Sequence, residues 1–309
     1  MNAPLPRVVV GPLGGTGVAE AIAALDGINA EIVRDLDAVP AALVGAPILV
    51  TFRWSDAWVV PGLRWIQSVS AGTEQFPLAA LAANGTALTS ARGIHEVQVS
   101  EHAIGLLLAM TRGIDVAARQ QQTHTWKWSR SVELHGMTLG VLGLGTIGEG
   151  VARRGAAFGM RVIGTKAHPD RYTGIADEVF GPGDTIEVFR RADAVVITLP
   201  GGASTHKLVG RAELEALRGG YLVNVGRGGV IDEAAFIAAM GDGVLAGAAL
   251  DVFPTEPLPT DSPLWDLPGV LITPHMAGSS PRYGERLAAL FTRNLAAYRG
   301  EGEWENRVV

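Results

Sequence analysis

Residues 141–148 read Val141-Leu142-Gly143-Leu144-Gly145-Thr146-Ile147-Gly148 and contain the spacing G-x-G-x-x-G. The stretch follows an apolar run typical of a strand and opens a helical pattern. In a dinucleotide-binding loop the first glycine permits the tight turn, the second lets the backbone approach a pyrophosphate, and the third lets helix and strand pack closely. The helix N-terminus at Thr146 and Ile147 adds N–H groups and a positive dipole end. We therefore predict a dinucleotide loop; the alternative is an ordinary glycine turn of an α/β protein.

Short apolar runs alternate with helical patterns along the rest of the chain. The runs lie at Val8–Val10, Pro47–Val50, Trp65–Val69, Leu139–Leu142, Arg161–Ile163, Ala194–Leu199, Tyr221–Val225, Gly247–Val252 and Val270–Thr273. Near-continuous apolar strands that alternate with helices favour a parallel sheet covered on both faces. The glycine-rich stretch from Gly11 to Gly17 lacks the dinucleotide spacing and is interpreted as a strand-to-helix loop.

Two longer helical patterns flank the regular block of strands. We expect the first to begin near Ser100 as its N-cap and the last to begin after Pro281, with Leu287, Leu290 and Phe291 on one face. This layout predicts a central domain, at about residues 100–278, that is inserted into a first domain. The chain then returns to the first domain for its final helix.

Composition narrows the classes of function. Of 309 residues, 48% are hydrophobic and 18% charged, which suits a globular protein with a sizeable core. The net charge of -6 disfavours a nucleic-acid surface, so an anionic substrate needs a local cationic pocket. Because there is no Cys, disulfides, a thiolate nucleophile and Cys-ligated zinc are excluded, and we expect no metal. No apolar helical run is long enough for a bilayer, so no membrane partner and a cytoplasmic location are expected.

Three further stretches carry a resemblance to a known family. They are Asn224-Val225-Gly226-Arg227-Gly228-Gly229-Val230-Ile231-Asp232, Ala249-Leu250-Asp251-Val252-Phe253-Pro254-Thr255-Glu256-Pro257-Leu258-Pro259 and Thr273-Pro274-His275-Met276-Ala277-Gly278. Together with the glycine loop, their order and spacing resemble the D-isomer-specific 2-hydroxyacid dehydrogenases over nearly the whole chain. The resemblance implies a Rossmann-type doubly wound dinucleotide-binding domain, residues 100–278, inserted into a smaller flavodoxin-like α/β substrate-binding domain, residues 1–99 and 279–309.

The resemblance also implies a reaction, namely hydride transfer between NAD(P)H and a small 2-oxo acid of the glyoxylate or hydroxypyruvate kind. By this carry-over Arg227 binds the substrate carboxylate and polarises the 2-oxo group. His275 is the general acid in reduction and the base in oxidation, and Glu256 pairs with it. These residue types suit the reaction, because the oxygen that gains charge needs both a fixed cation and a proton near neutral pH.

Further residues are implied to bind ligands. Backbone N–H groups around Ser70, Ala71 and Gly72 would hold the substrate carboxylate, and Asp251 would lie near the nicotinamide carboxamide. The remaining predicted cofactor contacts are Leu199, Pro200, Val225 and Gly226, which lie at the carboxyl ends of two predicted strands of the block. The other six histidines, His95, His102, His124, His135, His168 and His206, are interpreted as surface or packing residues.

The end of the second strand of the block indicates the cofactor. NAD-specific Rossmann sites carry an Asp or Glu there that binds the ribose 2′-OH. Here Lys166 aligns best with that position; Thr165, which precedes it, is expected to add a hydroxyl hydrogen bond to the phosphate, and His168 or Arg171 a further positive group. An ammonium attracts a 2′-phosphate, so we expect NADP to be preferred and NAD to be accepted as well. The alternative is that Lys166 points into solvent and that Asp170 takes the acidic role.

Other functions share parts of these motifs. A non-catalytic dinucleotide-sensing binding protein of the same fold is the main alternative to an enzyme. Formate dehydrogenases resemble this fold but have Gln at the position of Glu256, and a long-type phosphoglycerate dehydrogenase would add a regulatory domain. Because the family usually forms dimers through the cofactor domain, we expect a homodimer, with Thr111–Glu133 as the contacting arm.

Overall fold

The computed structural model describes residues 5–13 and 17–309, so Gly14, Gly15 and Thr16 of the predicted N-terminal loop lie outside the described residues. The chain forms two compact units. The first unit is Met1–His95 with Ser279–Val309, and the second unit is Glu96–Gly278. The two units are divided after residues 95 and 278, and the domains expected from the sequence are divided after residues 99 and 278; the roles expected of these domains stay predictions.

The first unit contains one sheet of five parallel strands, in the order β2-β1-β3-β4-β5. The strands are β1 (Arg7–Val10), β2 (Asn29–Ile32), β3 (Ile48–Thr51), β4 (Trp65–Ser68) and β5 (Ala87–Thr89). This order is the flavodoxin-like one. The predicted fold of this part of the chain is therefore confirmed.

The second unit contains seven parallel strands, in the order β12-β11-β10-β9-β6-β7-β8. The strands are β6 (Thr138–Leu142), β7 (Arg161–Thr165), β8 (Glu178–Phe180), β9 (Ala194–Ile197), β10 (Tyr221–Asn224), β11 (Gly247–Leu250) and β12 (Val270–Ile272). The chain extends the sheet on one side of β6 and then returns to its other side with β9, as in a Rossmann fold. The strand order reverses between β6 and β9, and such a switch point is where open α/β sheets bind ligands.

Helices cover the sheets of the two units. They are α1 (Val18–Ala23), α2 (Val39–Ala42), α3 (Leu78–Ala83), α4 (Glu96–Thr111), α5 (Ile114–Gln122), α6 (Thr146–Ala157), α7 (Thr185–Arg191), α8 (Arg211–Ala216), α9 (Glu233–Gly241) and α10 (Tyr283–Tyr298). Short 3-10 turns lie at Leu36–Ala38, Asp56–Trp58, Pro169–Arg171, Pro182–Asp184, Gly228–Val230 and Pro263–Asp266. In the described part of the chain, no helix is long and apolar enough to cross a membrane.

Strand β9 shows why the apolar runs are continuous. Val195 and Ile197 pack into the core on one face of the sheet, and Ala194 and Val196 pack into the core on the other. All four side chains are fully buried. A strand buried on both faces has no polar alternation, which explains the pattern in the sequence.

The prediction that α4 begins at Ser100 was wrong. The helix begins at Glu96, and Ser100 lies inside it with its hydroxyl donating to the carbonyl oxygen of Glu96 (2.5 Å). A serine inside a helix can satisfy its hydroxyl in this way. A Cβ placed on Gly150 of α6 would lie 2.8 Å from Ser100 Oγ. Small residues on both helices therefore allow α4 and α6 to approach closely.

Candidate active site

The glycine loop joins β6 to α6 with the features that a dinucleotide requires. Gly143 has φ +96°, a left-handed conformation that favours glycine. Among the described residues, nothing lies within 4 Å of a Cβ placed on Gly145, whereas a Cβ on Gly148 would lie 2.1 Å from the carbonyl oxygen of Gly143. In the same part of the chain no side chain caps α6, so the first N–H groups of the helix, at Thr146 and Ile147, remain available to a ligand; their contact with a pyrophosphate stays a prediction. The open backbone and these donors fit the cofactor.

Two threonines hold this loop from neighbouring strands. The Gly143 N–H donates to Thr165 Oγ1 (3.1 Å), and Thr198 Oγ1 donates to the carbonyl oxygens of Gly143 (2.7 Å) and Leu142 (3.1 Å). Thr165 is only 4% exposed. The sequence predicted that Thr165 contacts the cofactor phosphate, but in the structure its side chain is turned into the glycine loop.

Lys166 follows β7 and reaches the same loop. Its Nζ donates to the carbonyl oxygen of Leu144 (2.7 Å) and lies 5.3 Å from the centroid of the Tyr172 ring. The cation is therefore held beside the glycine loop. Asp170 lies on the turn beyond the strand. Its Oδ2 lies 3.9 Å from Arg171 Nε, and its side chain is 75% exposed.

The loops that follow β9 and β10 pack beside the glycine loop. A Cβ on Gly143 would lie 2.9 Å from Leu199 Cδ2, and a Cβ on Gly226 would lie 2.6 Å from the carbonyl oxygen of Leu199. Pro200 follows Leu199, and Val225 precedes Gly226. These four predicted cofactor contacts thus lie next to the loop at the carboxyl ends of the strands.

Hydrogen bonds with Asn224 and with the Gly226 carbonyl oxygen hold Arg227 and its loop. Asn224 is fully buried at the end of β10; its Oδ1 accepts from the Gly226 N–H (3.0 Å) and its Nδ2 donates to the carbonyl oxygen of Arg227 (3.1 Å). The guanidinium donates to the carbonyl oxygen of Gly226 (2.8 Å) and is exposed. Within residues 5–13 and 17–309 it forms no ion pair. The cation is therefore free to bind an anion.

Glu256 and His275 form a direct pair. His275 Nδ1 lies 2.6 Å from Glu256 Oε2, and Glu256 Oε1 accepts from the Phe253 N–H (2.8 Å). A Cβ on Gly228 would lie 1.9 Å from the carbonyl carbon of Phe253, so the Arg227 loop packs directly on the segment that leads to Glu256. The pairing at Nδ1 leaves His275 Nε2 for a substrate, and the side chain is half-exposed.

Asp251 anchors the loop on which His275 lies. Its Oδ1 accepts from Thr273 Oγ1 (2.6 Å) and the Met276 N–H (3.0 Å), and its Oδ2 accepts from the Ala277 N–H (3.0 Å). Burial acts to raise the pKa of Asp251, but the hydrogen bonds from His102, Thr273 and the two N–H groups together hold it below its usual value. The carboxylate is fully buried and supports the loop of His275. A contact of Asp251 with the nicotinamide carboxamide stays a prediction.

The predicted substrate loop lies in the first unit, after β4. The Ser70 N–H already donates to Ser68 Oγ (3.1 Å), and Ser70 Oγ donates to the carbonyl oxygen of Gly72 (2.5 Å). The N–H groups of Ala71 and Gly72 have no hydrogen-bond partner in the part of the chain that the structure describes. A Cβ on Gly72 would lie 2.3 Å from Glu74 Oε2, so a carboxylate rests against this loop.

Comparison with known proteins identifies the family. Residues 104–277 match the family model of the D-isomer specific 2-hydroxyacid dehydrogenase, NAD binding domain. This chain belongs to that family. The family expected from the motifs is therefore confirmed, and the second unit contains a NAD-binding domain.

Named members of the 2-hydroxyacid dehydrogenase family are similar over much of the chain. D-3-phosphoglycerate dehydrogenase of Mycobacterium tuberculosis is 34% identical over 270 residues, which are 86% of this chain and 48% of that protein. The chain thus spans about half the length of this relative. Glyoxylate/hydroxypyruvate reductase B of Yersinia pestis is 34% identical over 248 residues, or 77% of this chain and 74% of the relative.

A solved structure shares the fold. It is the NADPH-dependent glyoxylate/hydroxypyruvate reductase of Sinorhizobium meliloti in complex with NADP and malonate. The match has a TM-score of 0.80 and 28% identity, and it covers 99% of this chain and 97% of the reductase.

Some residues of the site had no role in the sequence analysis. Thr198 and Asn224 hold the cofactor and Arg227 loops, and both are polar residues that end or directly follow buried strands. A polar residue at the carboxyl end of an apolar strand was the signal that could have marked them. His102 was interpreted as a surface or packing residue, but its Nε2 lies 3.1 Å from Thr273 Oγ1 and 3.4 Å from Asp251 Oδ1.

Proposed function

We propose that this protein reduces a small 2-oxo acid to the D-2-hydroxy acid with a reduced nicotinamide dinucleotide and catalyses the reverse oxidation. The observation that carries this proposal is the Glu256–His275 pair, at 2.6 Å, which packs through Phe253 on the loop of the unpaired Arg227. A glycine loop that fits a dinucleotide lies in the same unit. The names of the relatives support a substrate of the glyoxylate or hydroxypyruvate kind.

The proposed roles follow from the chemistry of each side chain. Arg227 binds the substrate carboxylate and the 2-oxo oxygen through its planar, permanently charged fork. His275 donates a proton from Nε2 to the substrate oxygen as negative charge develops there, and it takes that proton back in the oxidation. Glu256 fixes the orientation of the ring through its contact with Nδ1. When bound, the cofactor supplies the hydride.

A steady-state assay tests the function. Purified protein is expected to oxidise NADPH or NADH when it is given glyoxylate, hydroxypyruvate or another small 2-oxo acid, and the loss of absorbance at the reduced cofactor's band measures the rate. The product is expected to be the D-isomer. If the protein binds the cofactor but turns over none of a broad panel of 2-oxo acids, the proposal is wrong and a dinucleotide-sensing protein is the better description.

We assign the roles of the two parts of the chain on the same basis. Residues 100–278 are proposed as the cofactor domain, and residues 1–99 with 279–309 as the substrate-binding domain. The N–H groups of Ala71 and Gly72 support this assignment, because two adjacent unpartnered donors suit a carboxylate. In this proposal the substrate displaces the flexible Glu74 side chain from Gly72.

We also propose that NADP is the preferred cofactor and that NAD is accepted. Lys166 is the supporting residue, because its ammonium is held at the glycine loop by Leu144 and by the ring of Tyr172. A cation that is already positioned loses little freedom when it binds a phosphate. The NADPH-dependent reductase from Sinorhizobium meliloti has the same fold, which agrees with this preference.

Lys166→Asp is expected to reverse the cofactor preference. A carboxylate repels the 2′-phosphate of NADPH and accepts a hydrogen bond from the ribose 2′-OH of NADH. A charge-assisted bond contributes about 1.5–3 kcal/mol, so the ratio of kcat/KM for the two cofactors should move by about one to two decades toward NADH. Asp170→Asn tests the alternative that Asp170 binds the ribose 2′-OH. If it does, Asp170→Asn and not Lys166→Asp would change the ratio of kcat/KM for the two cofactors.

A homodimer is proposed through the segment 111–133. Helix α5 has no buried residue, and the side chains of Trp126 and Trp128 are fully or largely exposed. Exposed indole rings on one short segment are typical of a surface that another chain covers. Sedimentation equilibrium is expected to give about twice the chain mass of 32.3 kDa.

A further inference from the structure

His102 lies on α4 with its ring turned toward the loop of residues 273–277. Its side chain is 20% exposed, and Nε2 lies 3.1 Å from Thr273 Oγ1. The Thr273 hydroxyl already donates its proton to Asp251 Oδ1, at 2.6 Å. The hydroxyl oxygen must therefore accept from His102, so Nε2 of the ring is protonated and acts as a donor.

Asp251 connects this contact to the residues on both sides of His275. Its carboxylate accepts from Thr273, Met276 and Ala277, and its carbonyl oxygen accepts from the His275 N–H (2.8 Å). His275 has φ +49°, a left-handed conformation that a residue other than glycine seldom adopts. Such a conformation persists only where its surroundings hold it. The bonds from Asp251 on both sides of His275 hold this conformation, together with the pairing of its ring with Glu256.

We propose that His102 is a positioning residue for His275. It donates to the Thr273 hydroxyl, which in turn donates to Asp251, and it thereby fixes the loop that presents the imidazole. In the part of the chain that the structure describes, His102 makes no hydrogen bond to the Glu256–His275 pair or to the glycine loop. The effect on turnover rests on the proposed function, whereas the effect on the loop does not.

Two replacements of His102 separate its hydrogen bond from its bulk. His102→Leu removes the donor and keeps a similar volume, whereas His102→Gln places an amide N–H near the position of Nε2. We expect His102→Leu to lower kcat by about tenfold, with KM and the Kd for NADPH within about threefold of wild type. His102→Gln should retain most of kcat. Glu101→Gln is the matched control on the same helix, because Glu101 is exposed and pairs with Arg154, away from the loop of residues 273–277.

Amide hydrogen exchange without substrate or cofactor tests the loop directly. The Met276 and Ala277 N–H groups should exchange at least about tenfold faster in His102→Leu than in wild type, His102→Gln or Glu101→Gln. A wild-type exchange rate in His102→Leu, or a His102→Gln variant as impaired as His102→Leu, would overturn the proposal. If the wild type turns over no 2-oxo acid, the proposed function is wrong, and the exchange rates still decide the role of His102.

Discussion

Replacing His275 with asparagine is expected to lower kcat for 2-oxo acid reduction by about two to four decades. The imidazole is the proposed proton donor, and an amide cannot supply a proton near neutral pH. Asparagine is the better choice over glutamine because it tolerates the left-handed backbone that His275 adopts, with φ +49°. Fluorescence titration should show that the Kd for NADPH stays within about threefold of wild type. A loss smaller than tenfold would mean that another group transfers the proton.

Two companion variants sharpen this result. His135→Asn alters an exposed histidine that the proposed mechanism does not use, and its kcat should equal that of wild type. Glu256→Gln removes the carboxylate that pairs with His275 Nδ1 and orients the ring. Because this carboxylate holds the ring, kcat should fall in the variant, while the Kd for NADPH stays within about threefold of wild type. An unchanged kcat would show that the 2.6 Å pair has no part in proton transfer.

Arg227→Lys is expected to lower kcat/KM for the 2-oxo acid by about one to two decades, although the charge is kept. A guanidinium binds a carboxylate and a neighbouring oxygen with a planar fork, and an ammonium cannot reproduce that geometry. Loss of one charge-assisted bond of about 1.5–3 kcal/mol gives this range. The measurement is a substrate titration at saturating NADPH.

Arg218→Lys is the matched control for this substitution. Arg218 is exposed beyond α8 and forms no ion pair within the described residues. Its conservative replacement should leave kcat/KM unchanged. If Arg227→Lys is as active as Arg218→Lys, Arg227 supports only the loop through its bond to Gly226, and the substrate carboxylate binds elsewhere.

Local pattern predicted the central strands well and three edge strands poorly. Strands such as β9 are buried on both faces, so their apolar runs are visible in the sequence. Strands β2, β5 and β8 lie at the edges of their sheets and were not predicted. The sequence of β2 is Asn-Ala-Glu-Ile, and its two polar side chains, Asn29 and Glu31, are exposed, so it contains no apolar run. The fourth edge strand, β12, was predicted because its sequence, Val-Leu-Ile, is a continuous apolar run.

Some residues of the site could be predicted from the local sequence, whereas others depend on contacts between distant segments of the chain. Gly143, Gly145 and Gly148 could be predicted from their spacing and from their position between a strand and a helix, because backbone conformation and close packing require glycine there. The turn of Thr165 into the glycine loop could not, since it depends on a neighbouring strand. His102 contacts Thr273 across 171 positions of the sequence. Only the folded chain brings these two residues together, so a motif search within either segment has no information about the contact.

The packing of Gly228 against Phe253 sets limits for protein engineering. The neighbouring atom is a backbone carbonyl carbon, 1.9 Å from where a Cβ would lie, so no side-chain movement can make room for a larger residue. Codon randomisation at this position should return almost only glycine. Libraries that aim at a new cofactor are better spent on His168 and Arg171, which are exposed beyond β7. Exposed positions beyond β7 can therefore be varied freely, whereas Gly228, beside Arg227, tolerates only glycine.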